Sequence, residues 1–174
     1  MAVTPTYGDL LRSATSSAVH LEMRDLYTVD SEQERIAAWR AGHRYDSADR
    51  ASWWRPWLDL IAETVARGVT VRRARVVSEP VSEYIRYSHS YAFTNVAAGE
   101  ALRWLPRRRA SDLALPGNDF WLVDDRLVLF NHFDGDGRPT GVEVAEDAAT
   151  IKLCASAFDA VWERGIDHQD YRPA

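Results

Sequence analysis

Val69-Thr70-Val71-Arg72-Arg73-Ala74-Arg75-Val76-Val77 is the stretch that decides the fold. Its β-branched residues predict a strand, set between Gly68 and the breaker Pro80. Alternate side chains face opposite sides, so Arg73 and Arg75 share a face with Val69, Val71 and Val77. Arg72 shares the other face with Thr70, Ala74 and Val76. Arginines on both faces of a central strand are unusual, because burying an unpaired charge is costly. Two readings follow. Either the strand end lines a cleft, or the arginines pair with acids such as Glu79, Glu83 and Glu100.

Upstream, Pro56 is welcome in a first helical turn, and Trp57, Leu58, Leu60, Ile61 and Val65 form an apolar stripe at helical spacing, ended by Gly68. Ser31 with Glu34 predicts a capped helix on Ile36, Ala37 and Trp39, ended by Gly42. Val19, Leu21 and Met23 alternate with His20, Glu22 and Arg24, the pattern of a half-buried strand. Tyr7 to Arg12 is expected to be a short helix. Downstream, Ser82 opens a helix through about Asn95, and Ala101 to Leu105 is a strand stopped by Pro106. Pro116-Gly117-Asn118 is a turn. Phe120–Val123 and Leu127–Phe133 are strands around Asp124-Asp125, and Gly141 to Val144 follows the turn Asp134-Gly-Asp-Gly. Asp147 caps a last helix ended by Gly165. Strands alternating with helices, plus a late hairpin, predict an α/β fold: one layered domain with a mixed sheet flanked by helices.

The chain has 174 residues, 46% hydrophobic and 27% charged. These values fit one soluble domain and exclude a disordered chain, a collagen or a coiled coil. No apolar run approaches the roughly 20 residues of a membrane span. Met1 to Leu11 lacks a basic start followed by an apolar core, so no secretory signal is expected there. With Cys154 as its single cysteine the chain forms no internal disulfide, and a cytoplasmic setting is expected. Of 21 basic residues, 20 are arginine and one is Lys152. Codon bias accounts for that total; anion recognition by the bidentate guanidinium is the functional alternative. The distribution is more telling. Residues 67–109 carry a net charge of +6 and the remainder −11.

Several chemistries are excluded by spacing. Counted from Asp134, the twelfth position of a calcium loop is Ala145, not Glu. His20, His43, His89, His132 and His168 have no short helical spacing for a metal. There is no glycine-rich phosphate loop and no Gly-x-Ser-x-Gly elbow. Cys154 lies among apolar neighbours and reads as a small buried residue. No cofactor and no metal are expected. The seven tryptophans read as core or a dimer face, with an aromatic cage or base-stacking platform as the alternative.

Arg67-Gly-Val-Thr-Val-Arg-Arg resembles the "Gly-Val-x-Val-Arg" strand of phospholipase-D-like domains. Phe120-Trp-Leu-Val-Asp-Asp-Arg-Leu-Val-Leu-Phe-Asn resembles the strand–turn–strand that carries their His-x-Lys-x4-Asp motif. The resemblance spans roughly residues 57–165, one half-unit of a two-half active site, and implies a core over 51–168 with residues 1–50 as a helix–strand–helix extension. Placing the motif Asp on Asp124 puts the Lys position at Asp119 and the His position at Gly117, with Asn131 near the Gly-Ser element. Glycine cannot attack phosphorus and aspartate repels a phosphate, so the resemblance implies the fold without its phosphodiesterase chemistry. Lys152 lies in another element and does not restore the pattern.

A second resemblance covers almost the whole chain. Tyr7-Gly-Asp-Leu-Leu, His20-Leu-Glu-Met-Arg-Asp-Leu-Tyr, Arg73-Ala-Arg-Val-Val-Ser-Glu-Pro, Ala98-Gly-Glu-Ala-Leu-Arg-Trp-Leu-Pro-Arg and Asn118-Asp-Phe-Trp-Leu-Val-Asp-Asp resemble an actinobacterial domain family. Its members are encoded beside, or fused to, helix-turn-helix regulators. It implies a regulatory or sensing role and no established activity.

The expectation is a non-catalytic regulatory or ligand-sensing domain, partnered by a helix-turn-helix regulator and binding an anionic small molecule or a protein partner. The expected ligand face is Arg73, Arg75, Glu79, Tyr84, Arg86, Glu100 and Arg103, with Asp119 and Asp124 at its rim. Homodimerisation is expected, since such half-units pair face to face. The rival is an enzyme with a repurposed pocket, for instance in secondary metabolism, using Glu79, Glu83, His89 and His132. Direct nucleic-acid binding through the basic middle ranks last, because the protein is acidic overall.

Overall fold

The computed structural model describes residues 5–174; the first four residues of the Met1–Leu11 stretch lie outside the described part. Thr6 caps the first helix, α1 (Tyr7–Ser13), in a reciprocal box with Asp9. Strand β1 (Ser17–Glu22) follows. Helices α2 (Gln33–Arg40), α3 (Arg50–Trp53) and α4 (Pro56–Ala66) lead to β2 (Thr70–Val77). Helices α5 (Glu83–Tyr91) and α6 (Phe93–Ala97) lead to β3 (Ala101–Pro106). The meander β4 (Asp119–Val123), β5 (Leu127–Phe133) and β6 (Pro139–Ala145) comes next. Helix α7 (Ala148–Arg164) and the two-residue strand β7 (Ile166–Asp167) close the chain.

The seven strands form one mixed sheet in the order β6-β5-β4-β1-β2-β3-β7. Strands β1, β2 and β3 run parallel, and β4 pairs antiparallel to β1. Parallel neighbours need crossover connections, supplied here by α2–α4 and α5–α6. One face of the sheet packs on α7 through Val19, Leu21, Ala74, Val76, Phe120, Leu122, Phe158 and Val161. The opposite face carries two separate apolar clusters. Leu10, Leu58, Ile61, Val71 and Trp121 belong to one. Tyr27, Ile36, Val77, Ile85, Leu102 and Trp104 belong to the other.

Four details differ from the sequence expectation. Residues 1–50 are not an extension beside a core beginning at 51, because β1 lies mid-sheet between β4 and β2. Nor is β1 half-exposed: Ala18 through Glu22 are buried, since helices cover one face and α7 the other. The alternating His20 and Glu22 therefore face a buried polar layer, not water. Ser31 does not cap α2. It lies in a 3-10 turn, and the residue at the cap position, Glu32, makes no side-chain cap bond. The helix opened by Ser82 breaks at Ala92, so its continuation to Asn95 is a separate short helix. Strand β7 is too short to leave any periodic signal.

Candidate functional site

The parallel register of β1 on β2 places His20 beside Arg73 and Glu22 beside Arg75. All four side chains project to the face away from α7, as does Trp121 of β4, opposite His20. There they form a buried ionic chain. Arg73 Nε donates to Glu100 Oε1 at 2.7 Å and Arg73 Nη1 donates to Glu22 Oε1 at 2.7 Å. Arg75 Nε lies 2.7 Å from Glu22 Oε2, out of line for a hydrogen bond. On the far side, Asn95 Nδ2 donates to Glu100 Oε2 at 2.5 Å, and Arg55 Nη2 donates to Asn95 Oδ1 at 3.2 Å. Arg55 Nη1 also donates to the hydroxyls of Tyr91 and Thr94. Burying these charges is tolerated because most donors and acceptors have a partner.

Four atoms do not. Arg75 Nε and Nη1, Glu22 Oε2 and His20 Nδ1 are buried without a hydrogen-bond partner. Arg75 and His20 line a cavity of about 200 Å³ whose other walls include Arg55, Arg73, Trp57, Tyr91 and Trp121. Tyr7, 40% exposed, stands among its lining residues and donates to Asn131 Oδ1. Among the described residues no carboxylate lines the cavity; Glu22 and Glu100 stand behind the arginines. Burial keeps the His20 imidazole neutral, against the attraction of Glu22 and with the help of Arg73 and Arg75. Its ring stacks on Trp121 with centroids 4.3 Å apart. Burial opposes ionisation of Glu22, yet Arg75 and Arg73 hold its carboxyl down to about 2.

Beside this cluster, Asp119 accepts from Tyr27 Oη at 2.5 Å and from Met23 N at 2.8 Å. Burial pushes its carboxyl up to about 6, although both hydrogen bonds pull downward. It lines a second cavity of about 340 Å³ with Arg24, Arg107, Gly117 and Asn131.

Of the expected ligand face, Arg73, Arg75 and Glu100 come together, with Asp119 close by and buried Tyr84 near Arg75, its hydroxyl donating to Glu32. The other four lie elsewhere. Glu79 accepts from Tyr171, and Arg86 is exposed on α5. Arg103 points to the α7 face, bonding Asp167 and the Trp162 carbonyl. Asp124 sits at the opposite end of β4 from Asp119, roughly 16 Å away along the strand. There it accepts from the backbone and hydroxyls of Thr15 and Ser16 and from Ser17 N. It is a clamp on the entry to β1, not a pocket rim. The acid–base set Glu79, Glu83, His89 and His132 does not converge: Glu83 pairs with Arg40 and His132 with Glu143, both on the surface. Arg107 donates to the carbonyls of Met23 and Val76 while its side chain stays 41% exposed. Among the described residues, no group of three or more His, Cys, Asp or Glu is placed to hold a metal, and no helix is long and apolar enough to cross a membrane.

Sequence reasoning missed Glu22, His20, Arg55, Asn95, Trp57 and Tyr91. Glu22 was within reach: a strand at 17–22 laid parallel on 70–75 brings it to Arg75. Arg55 and Asn95 arrive from helix ends, and nothing local announces that.

A family model matches residues 5–173. The chain belongs to the family described as Domain of unknown function (DUF6879). No curated protein matches the chain. Among solved structures, this DUF6879 chain is similar to Nuc of Salmonella typhimurium, a phospholipase D family member, at 14% identity and a TM-score of 0.51, over 95% of this chain and 88% of that one. The likeness is one of fold: the seven-stranded mixed sheet is phospholipase-D-like. TrmBL2, an archaeal chromatin protein, aligns at 15% identity and a TM-score of 0.45, over 91% of this chain and 47% of that one. The chain thus spans about half of TrmBL2.

Proposed function

We propose that this domain is a non-catalytic sensor that captures a small anionic molecule in the 200 Å³ cavity. One observation supports the reading: three arginines and a histidine line that cavity with no carboxylate among them, and one of those arginines, Arg75, has buried guanidinium nitrogens without a hydrogen-bond partner. A buried guanidinium N–H left unpaired costs free energy that an anionic ligand returns as a charge-assisted hydrogen bond. Glu22 and Glu100 hold the arginines in orientation, as supporting groups do around a binding site. The non-catalytic part rests on Gly117 and Asp119, which stand where the phospholipase-D resemblance expects a nucleophile and a phosphate-holding lysine. A helix-turn-helix regulator as partner and pairing of two copies, which come from the resemblances, and a cytoplasmic setting, which comes from the single cysteine, complete the proposal. Nucleic-acid binding ranks lower, because Arg73 and Arg75 are buried.

Thermal unfolding in a panel of inorganic and organic anions at constant ionic strength tests the sensor. A ligand at about 100 times its Kd stabilises by roughly 2.7 kcal/mol, several degrees in Tm for a chain of this size. The expected result is such a rise for the wild type and none for Arg75→Gln. No rise with any anion, or an equal rise in the variant, overturns it. Turnover of a generic phosphodiester that is lost on changing Asp124 or His132 overturns the non-catalytic part.

A further inference from the structure

We infer that the ligand of this cavity is a planar aromatic monocarboxylate; the inference rests on the anion-sensor reading and narrows it. The first ground is charge. The ionic chain holds three guanidiniums, Arg55, Arg73 and Arg75, against two carboxylates, Glu22 and Glu100. His20 adds no charge, being neutral by burial. Asp119 lies at the second cavity, where Arg24 opposes its charge. One positive charge is left over, which matches a monoanion; a phosphomonoester carrying nearly two charges would leave one buried and uncompensated.

The second ground is donor geometry. The unpartnered group is the fork of an arginine, whose planar N–H array fits a carboxylate. Arg73 has two of its nitrogens committed to Glu100 and Glu22, whereas no guanidinium nitrogen of Arg75 makes a hydrogen bond, so Arg75 has the more donor capacity to spare.

The third ground is the wall. Trp57, Trp121, Tyr91 and the His20 ring surround the charged end. Trp57 and Trp121 meet edge to face with centroids 6.2 Å apart, and Arg55 lies over the Tyr91 ring. Aromatic side chains gain from offset or edge contacts with another ring. A cavity of about 150 Å³ holds benzene. About 200 Å³ therefore has room for one ring with its carboxylate.

Titration calorimetry with benzoate, acetate, phenyl phosphate and inorganic phosphate, each on wild type and Arg75→Gln, tests this. Benzoate is expected to bind at least tenfold more tightly than acetate and than either phosphate, and to weaken at least tenfold in Arg75→Gln. Trp57→Ala should weaken benzoate and leave acetate unchanged. If Arg75→Gln does not fold, Arg75→Lys keeps the charge, removes the fork and should show the same loss. Tighter Arg75-dependent binding of either phosphate, or equal binding of acetate and benzoate, overturns the aromatic carboxylate while the anion sensor stands. Absence of any Arg75-dependent binding overturns both.

Discussion

Arg75 and Glu22 are held 2.7 Å apart on neighbouring parallel strands, yet Glu22 occupies only one edge of the guanidinium and leaves Nη1 buried and unpartnered. Its neighbour two residues earlier is placed differently. Arg73 bridges both Glu22 and Glu100, and the Glu100 side chain is fully buried. Arg73 thus has a carboxylate on each side, while Arg75 keeps unpaired donors.

The two substitutions should separate in stability. Arg73→Gln leaves the fully buried Glu100 with no cation and only Asn95 as partner, and losing one partner of a buried pair costs about 3–5 kcal/mol. Arg75→Gln leaves Glu22 with Arg73 and should cost less than half as much. Chemical denaturation of both variants measures the difference; equal losses would mean that Arg75 is as structural as Arg73.

Acid should unfold the protein partly through Glu22. Its carboxyl titrates near 4.5 ordinarily and at about 2 in the fold, because Arg75 and Arg73 outweigh the burial that opposes ionisation. Between those values the unfolded chain binds more protons, so stability falls as the pH drops from about 4.5 towards 2. Glu22→Gln should be less stable at pH 7 and show a shallower decline through that window, as followed by denaturation at stepped pH.

Asp119 should act with the opposite sign. Burial raises its carboxyl from 3.8 to about 6. The folded state holds a proton that the unfolded chain has released, so this contribution is full below about pH 4 and is lost as pH rises to 6. Asp119→Asn should gain in Tm relative to wild type across that interval and stay level above it. A gap that is constant with pH contradicts the raised carboxyl.

Asp124 should matter for stability alone. Its carboxylate fastens the Thr15–Ser17 backbone, and its own backbone lies in the left-handed region at φ 52°. Asp124→Ala should cost about 2 kcal/mol, the scale of losing a strong capping interaction. Ligand affinity should not change, because Asp124 is at the far end of β4 from the cavity.

The sheet was legible because its signals are local. Valine-rich Val69–Val77, the Asp124-Asp125 turn and the Asp147 cap each state their element within a few residues. The site was legible only in part. Two arginines on one strand face pointed to buried partners, and Glu100 was one of them. Glu22 was hidden because alternation in Val19–Met23 looks the same whether the polar face meets water or a buried cation. Arg55 and Asn95 were hidden because they come from helix termini whose meeting is set by packing. Asp124 was misplaced for a related reason: a hairpin aspartate and a pocket aspartate have the same local sequence.

The most direct measurement of the central claim is arginine-selective NMR of the side-chain N–H groups during titration with benzoate. The Arg75 signal should shift and saturate, while Arg72 and Arg103 on the α7 face stay put. Shifts confined to Arg72, Arg103 or other arginines outside the cavity, or no shift at Arg75 at any concentration, would contradict it.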